Sequence, residues 1–256
     1  MLESIIGFVI FLIILILGLL TGTVDNIYNG GNELITHTIG DGPVIVLLSG
    51  LGNGHESYNW QLSTSEQREK TKLPLIESVQ KRIANLGYKV ISFDPPGYGE
   101  NLSYPVPESL DEYCTLIKKM KPKLIIGHSI GGRIAQYYGE INKILYVMLD
   151  PTPDYILEKF EYTKHLEQPE NIKYQNTYKF LKMIKNSKKA IKSLKWNPEV
   201  LIYSIDDNDE RKNTKNEYFE KMNTNKIKLE NATHWVHISN PDILVTAINK
   251  VSINEV

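Results

Sequence analysis

Short apolar runs alternate with longer amphipathic stretches along most of the chain. The runs VIVLL, KVISF, KLIIG, ILYVML and EVLIYS predict buried strands at residues 44–48, 89–93, 123–127, 144–149 and 199–204. Apolar residues at helical spacing predict helices near residues 75–86, 108–120 and 130–141. Continuous apolar strands are typical of a parallel sheet that is covered on both faces. The alternation therefore predicts a doubly wound α/β domain with a mostly parallel sheet.

The first residues follow a different pattern. Residues 5–20, IIGFVIFLIILILGLL, carry no charged or strongly polar side chain, and the uncharged stretch extends through Val24. As a helix it would span roughly 30 Å, the thickness of the hydrocarbon core of a bilayer. We predict a single-pass membrane anchor over residues 1–24, with a cleaved signal peptide as the alternative, although the basic start of a signal peptide is absent. No lysine or arginine precedes Arg68 to fix the orientation, and an extracytoplasmic domain is the expectation.

Composition and charge narrow the possible functions of the chain. A chain of 256 residues with 41% hydrophobic content can bury one large core. The formal charge of −1 argues against binding to nucleic acid, which requires a strong basic excess. The single cysteine, Cys114, excludes an intrachain disulfide or a cysteine-rich metal site. We expect no cofactor and no metal.

A serine between two glycines is the clearest chemical motif. Ser129 lies in Gly127-His128-Ser129-Ile130-Gly131, directly after a predicted strand and before a predicted helix. A serine at so tight a turn has a strained backbone, and side chains two residues before and after it would collide with neighbouring chain. The turn presents the hydroxyl beyond the sheet edge and directs the first amides of the helix towards an oxyanion. Ser129 is therefore the candidate nucleophile.

These features resemble the α/β-hydrolase family, in its esterase and lipase-like branch, over about residues 33–251. LLSGLGNG at 47–54 resembles the family's oxyanion loop, and FDPPGYGE at 93–100 resembles its loop after the fourth strand. Where the family usually has His-Gly, this chain has Ser49-Gly50. The resemblance implies that the backbone amides of Leu51 and Ile130 form the oxyanion hole.

A serine nucleophile needs a general base, and the family order is serine, acid, histidine. The late segment THWVHISNPD resembles the family's His-Trp segment, which makes His234 the predicted base and His237 a structural residue. A metal pair of His234 and His237 lacks an accompanying carboxylate-rich segment. The other histidines are less suited by their position in the chain: His37, His55, His128 and His165.

The acid of the predicted triad has two candidate positions. In the family the acid follows the seventh strand, typically three residues after a glycine. Ser204 occupies the place of that glycine here, which favours Asp207 over its neighbours Asp206 and Asp209. Asp150 is the alternative, because some relatives carry the acid one strand earlier. Asp94 precedes the serine, and we expect it to brace its own turn.

An insert at about residues 152–197 is predicted to form a lid over the site. Residues 171–196 contain eight lysines and no acidic residue, around an apolar stripe of Phe180, Ile184, Ile191 and Leu194. This pattern is typical of a solvated helix packed on the core, and the alternative is a surface that faces anionic lipid headgroups near the anchor.

The sequence thus predicts a membrane-anchored serine hydrolase that acts on a small-molecule or lipid-like ester, with a thioester or an amide as the alternative substrate. Branches of the fold that open epoxides or remove halogens use an aspartate where this chain has Ser129. Two alternatives stay open: an acyltransferase of the same fold and a catalytically silent binding protein.

Overall fold

A mostly parallel β-sheet forms the centre of the molecule. The computed structural model describes residues 23–29, 32–51, 53–58, 78–158, 172–205 and 212–251. Within these residues the sheet has eight strands in the order β1-β2-β4-β3-β5-β6-β7-β8. The strands are β1 Thr23–Asn29, β2 Asn32–Ile39, β3 Val44–Leu48, β4 Lys89–Ser92, β5 Leu124–His128, β6 Leu145–Leu149, β7 Val200–Ile205 and β8 Lys226–Glu230.

The five strands predicted from apolar runs are confirmed to within one residue at either end, as β3 to β7. These strands and β8 pair in parallel, with Leu48 opposite Gly127 and Leu149 opposite His128 at the edge where β3, β5 and β6 end. The antiparallel pair β1 and β2 was not predicted. Because β1 begins at Thr23, the predicted boundary between residues 24 and 25 lies inside a strand.

Helices cover both faces of the sheet. They are α1 Val79–Ala84, α2 Leu110–Lys119, α3 Ile130–Asn142, α4 Asp154–Glu158, α5 Ile172–Ser193, α6 Lys212–Glu220, α7 Val236–Ser239 and α8 Pro241–Asn249. The three predicted helices correspond to α1, α2 and α3. Alternate strand residues point to opposite faces, so Val46 and Leu48 join one apolar cluster and Ile45 and Leu47 join another. The sheet is therefore buried on both sides, as its apolar runs indicated.

The insert after β6 packs against the core. The predicted apolar stripe of α5 is buried at Phe180, Ile184 and Ile191, while Lys182 and Lys185 are exposed. Arg133 of α3 has a fully buried side chain that donates to Asp154 Oδ1 of α4 at 2.8 Å. This ion pair joins the start of the insert to the helix that follows Ser129.

No helix among the described residues is long and apolar enough to cross a membrane. The predicted anchor at residues 5–20 lies outside the described part of the chain.

Candidate active site

The turn between β5 and α3 places Ser129 in a strained conformation. Its backbone has φ 54° and ψ −120°, a positive φ that serine rarely adopts. A Cβ atom at Gly127 would lie 2.2 Å from the carbonyl oxygen of Gly131, and one at Gly131 would lie 2.4 Å from that of Leu48. The two glycines are thus required by the close approach of the turn to itself and to β3, as the motif predicted.

The Ser129 hydroxyl faces the segment that follows β6. Its Oγ lies 3.5 Å from Thr152 Oγ1, and the Thr152 amide donates to the Ser129 carbonyl at 3.2 Å. In the described side-chain orientations, Ser129 Oγ makes no hydrogen bond to His234. The neighbourhood of Ser129 therefore includes Thr152, a residue that the sequence analysis missed because it belongs to no recognised motif.

His234 and Asp150 form a hydrogen-bonded pair at the carboxyl edge of the sheet. His234 Nδ1 lies 2.6 Å from Asp150 Oδ2, and since an ionised carboxylate only accepts, Nδ1 is the donor. The Asp150 side chain is fully buried, whereas that of His234 is about half exposed, at 47%. This arrangement leaves the other ring nitrogen, Nε2, available as a proton acceptor on the exposed side.

Three further donors hold the Asp150 carboxylate. The Ser204 amide and hydroxyl donate to it at 3.1 and 2.9 Å, and Lys215 Nζ lies 2.7 Å from Oδ1 and 2.8 Å from Oδ2. Burial by itself raises the pKa of Asp150, but the hydrogen bond from His234 and the positive charge of Lys215 outweigh it and hold that pKa below its usual range. Asp150 is therefore ionised at neutral pH.

The carboxylate partner of His234 bears on the choice between the two candidate acids. Asp207, the first choice from sequence, lies outside the described residues, as do Asp206 and Asp209. The carboxylate that accepts from His234 Nδ1 is the alternative, Asp150. Ser204, which was aligned with a family glycine, instead donates to Asp150, and Lys215 was not considered because it stands in a polar helix without a motif. Asp150 follows β6 and Ser129 follows β5, and these two strands are neighbours in the sheet.

The loop after β3 lies directly against Ser129. A Cβ atom at Gly50 would be 3.0 Å from Ser129 Cβ, so a larger residue there would have to displace its neighbours by a few tenths of an ångström. Ser49, which replaces the family's histidine, donates from Oγ to the Asn53 carbonyl at 2.7 Å and closes the loop. Leu51 follows in this loop, and Ile130 supplies the first amide of α3, which has no acceptor within its own helix. Their role as oxyanion donors stays a prediction.

Two buried histidines support the His234 segment. His128 Nε2 donates to the His234 carbonyl at 2.8 Å, and its ring lies 4.6 Å from that of His237. Burial, with His237 and His234 close by, holds the pKa of His128 well below the ordinary histidine value, and burial lowers the pKa of His237 to about 3. Both rings are therefore neutral and structural, which leaves the half-exposed His234 as the base candidate.

A groove of about 970 Å³ lies beside α5, between that helix and residues 102–108. Its lining includes Tyr104, Met183 and Lys182, and none of Ser129, His234 and Asp150 belongs to it. The groove therefore does not by itself define where a substrate binds.

Comparisons with known proteins agree with this architecture. Residues 45–183 match the model of the "Alpha/beta hydrolase family", and this match covers more than half of the chain. A search of curated proteins found no match. The chain belongs to the α/β-hydrolase family, as the residues 47–54, 93–100 and 127–131 indicated.

Solved structures resemble the chain in fold. An α/β-hydrolase-fold protein from Burkholderia ambifaria superposes with a TM-score of 0.60 at 14% identity, over 88% of this chain and 96% of that one. An epoxide hydrolase variant from Vigna radiata gives 0.62 at 12% identity, over 90% and 99%. A candidate non-heme bromoperoxidase from Mycobacterium tuberculosis gives 0.58 at 15% identity, over 86% and 95%. At these identities the likeness extends to the fold and not to the reaction.

Proposed function

We propose that this protein is a serine hydrolase that cleaves carboxylic esters with Ser129 as nucleophile, His234 as general base and Asp150 as the orienting acid. The observation that carries the proposal is the pair of His234 Nδ1 and the buried Asp150 carboxylate, 2.6 Å apart, beside a serine in a strained strand-to-helix turn. A serine hydroxyl is a weak nucleophile until a neighbouring base takes its proton. In this pair the proton is on His234 Nδ1, so Nε2 has a lone pair with which to accept the proton of the serine hydroxyl.

The reaction then proceeds in two halves. Ser129 Oγ turns from Thr152 towards His234 and attacks the ester carbonyl while Nε2 takes the hydroxyl proton. The amides of Leu51 and Ile130 donate to the resulting oxyanion. His234 gives the proton to the leaving alcohol, and an acyl-enzyme remains on Ser129. Water, deprotonated by His234, attacks the acyl carbon, and collapse of the second tetrahedral intermediate returns the proton to Ser129 and releases the acid.

Epoxide hydrolysis is the activity named for some of the fold neighbours. The resemblance to the family favours an ester here, because its epoxide-opening branches use an aspartate where this chain has Ser129. Acyl transfer would use the same acyl-enzyme with an alcohol in place of water.

A serine-directed probe and an ester panel test the proposal together. We expect a fluorophosphonate to label the wild-type protein, and p-nitrophenyl esters of increasing acyl length to be hydrolysed with one preferred length. Ser129→Ala should abolish both signals while leaving the circular dichroism spectrum unchanged. Full labelling of Ser129→Ala would overturn the nucleophile, and a protein that neither labels nor turns over any ester would favour the silent binding protein.

We further propose that residues 5–20 anchor the hydrolase in a membrane, with the domain on the extracytoplasmic side. Sixteen consecutive residues without a charged or strongly polar side chain support this, since such a segment is costly to leave in water. The full chain should remain in the membrane pellet after alkaline carbonate extraction, and a chain that begins at Thr23, where β1 starts, should move to the supernatant. Extraction of the full chain by carbonate would contradict the anchor.

A further inference from the structure

Two histidines, His37 and His55, and two carboxylates, Glu100 and Asp94, come from three separate segments of the chain and lie close together. His37 lies on β2, His55 lies in a 3-10 turn at His55–Ser57, and Glu100 lies in a second one at Gly99–Asn101. One ligand atom from each of these three residues falls within 4.8 Å of the other two. His37 Nε2 is 2.5 Å from Glu100 Oε2, and His55 Nδ1 is 3.9 Å from the same oxygen.

The fourth group, Asp94, holds His55 from behind. Its Oδ1 accepts from the His55 amide at 2.8 Å and lies 2.9 Å from His55 Nδ1, and its Oδ2 accepts from the Glu100 amide at 2.8 Å. Asp94 is 5% exposed, so its carboxylate is a fixed and buried support. Because His55 Nδ1 faces Asp94, the other ring nitrogen of His55, Nε2, is the one left to bind an ion. A carboxylate that orients an imidazole in this way is a recurring feature of histidines that bind metals.

We infer that His37, His55 and Glu100 bind a divalent transition-metal ion of the zinc class, with Asp94 as the supporting carboxylate. Two imidazoles and one carboxylate are donors that zinc accepts, whereas calcium and magnesium prefer an all-oxygen set. Three protein ligands leave the fourth tetrahedral position to water. None of these residues belongs to the proposed triad, so the inference goes beyond the proposed function and does not rest on it.

Binding requires one local rearrangement. The rings of His37 and His55 stack with centroids 3.8 Å apart and planes 11° apart, and ring nitrogens bind metals in the plane of the ring. The His37 ring must therefore turn about its Cβ–Cγ bond to meet an ion beside His55. Glu100 is 47% exposed at the side chain and can move on the solvent side, whereas His37, at 18%, has to turn in place while Asp94 holds His55. The ion takes the place of any proton shared between His37 and Glu100, and that proton is released to solvent.

The ion would link three segments that are distant from one another along the chain. It connects β2 to the turn that follows Gly54 and to the loop after β4. Gly54 and Gly99 both pack on Asp94, where a Cβ atom would lie 1.9 and 1.8 Å from its oxygens. The loop that carries Leu51 therefore ends at the proposed site, and an ion bound there stabilises that end of the loop.

Zinc titration of the full chain, purified in detergent and freed of metal with a chelator, tests the inference. Calorimetry should give one zinc per chain, and zinc should raise the temperature of unfolding. His37→Ala and Glu100→Gln should each weaken binding by at least roughly tenfold, and Asp94→Asn by roughly tenfold to a hundredfold. Glu108→Gln, a change at an exposed glutamate outside the cluster, and His234→Ala should bind zinc as the parent does.

Cobalt supplies a readout that folding defects do not imitate. Cobalt(II) bound by the parent should show the intense visible absorption of a tetrahedral site, and Glu100→Gln should change that spectrum even where its unfolding temperature in chelator equals the parent value. Unchanged zinc affinity in the His37→Ala/Glu100→Gln double variant would overturn the inference. So would loss of binding in His234→Ala alone, or the absence of binding at millimolar zinc.

Discussion

His234 Nδ1 and Asp150 Oδ2 lie 2.6 Å apart, although 84 positions separate the two residues along the chain. Asp150 directly follows β6 and His234 lies a few residues after β8, so the contact depends on parallel strands that all end at the same edge of the sheet. The same carboxylate is also contacted by Lys215. The candidate site therefore combines three charged or ionisable groups, Asp150, His234 and Lys215, with the hydroxyl of Ser129, and each can be changed separately.

The first prediction concerns the acid. Asp150→Asn should lower kcat by about 10³-fold or more, because an amide in this position cannot hold the correct imidazole tautomer or stabilise the imidazolium. Asp207→Asn is the matched control and should retain activity near the parent level. Steady-state hydrolysis of a p-nitrophenyl ester measures both variants. The opposite pattern, with Asp207→Asn inactive and Asp150→Asn normal, would return the assignment to Asp207.

The second prediction concerns Lys215. Its ammonium is one of the groups that hold the pKa of the buried Asp150 carboxyl below its usual range. Lys215→Met should therefore lower the free energy of unfolding at neutral pH, and this loss should shrink as pH falls and Asp150 becomes protonated. Lys226→Met, which removes a lysine paired with the partly exposed Glu220, should cost much less. Urea unfolding measures both variants, and a loss in Lys215→Met no larger than that in Lys226→Met would contradict this coupling.

The third prediction concerns the glycines of the turn. Gly127→Ala should lower the free energy of unfolding by about 3 kcal/mol or more, because its Cβ would lie 2.2 Å from a backbone oxygen that cannot move aside. Gly87→Ala is the comparison, since Gly87 has φ 91° but no atom within 4 Å of a built Cβ. It should cost about 1 kcal/mol, the penalty of a left-handed backbone alone. Urea unfolding measures both, and equal losses would show that space at the turn is not limiting.

The fourth prediction concerns pH and the His55–Asp94 pair. Burial opposes the protonation of His55, yet the Asp94 carboxylate outweighs it, so the pKa of His55 is raised above 6.5. Burial likewise raises the pKa of Asp94, but hydrogen bonds from His55 and from the Glu100 and His55 amides hold it below 3.8. The contribution of His55 is therefore complete below pH 6.5 and is lost as pH rises through its folded value. That of Asp94 is complete above pH 3.8 and is lost as pH falls through its lower folded value.

The comparison of parent with His55→Gln tests this window, with a chelator present throughout. The difference in the free energy of unfolding should be largest between about pH 4 and 6.5 and should shrink in more alkaline solution. A difference that stays constant from pH 5 to pH 9 would mean that packing, and not the charge of His55, accounts for its contribution.

The fifth prediction concerns the lysines of α5. Lys182, Lys185 and Lys189 are exposed, so each can contribute about 1 kcal/mol of attraction to an anionic lipid surface, screened by salt. A chain that begins at Thr23 should bind anionic vesicles at low salt and neutral vesicles much less. Reversal of the three charges to glutamate should remove the difference without changing the turnover of short, water-soluble esters. Equal binding to both vesicle types would leave these lysines as an ordinary solvated face.

The sequence predicted those strands whose residues form a continuous apolar run. The apolar runs located β3 to β7 because a strand that is buried on both faces must be apolar at every position. The hairpin of β1 and β2 was missed, although Gly30-Gly31 between two alternating runs is a known hairpin signal. Its strands mix polar and apolar residues, so their pattern is weaker than the continuous apolar runs of β3 to β7.

The sequence by itself determined the turn at Ser129, its two glycines and the family, because the motifs that indicate them depend on backbone geometry within a few residues. Only the tertiary structure decided which carboxylate contacts His234. Asp150 and Asp207 both follow apolar strands, and the choice depends on the spatial order of β5, β6 and β7 and on where the His234 segment returns to the sheet. Tertiary structure also decided that Lys215 and Ser204 share this carboxylate, and that His37, His55, Asp94 and Glu100 meet. Such contacts join distant segments through packing, and no short stretch of sequence records them.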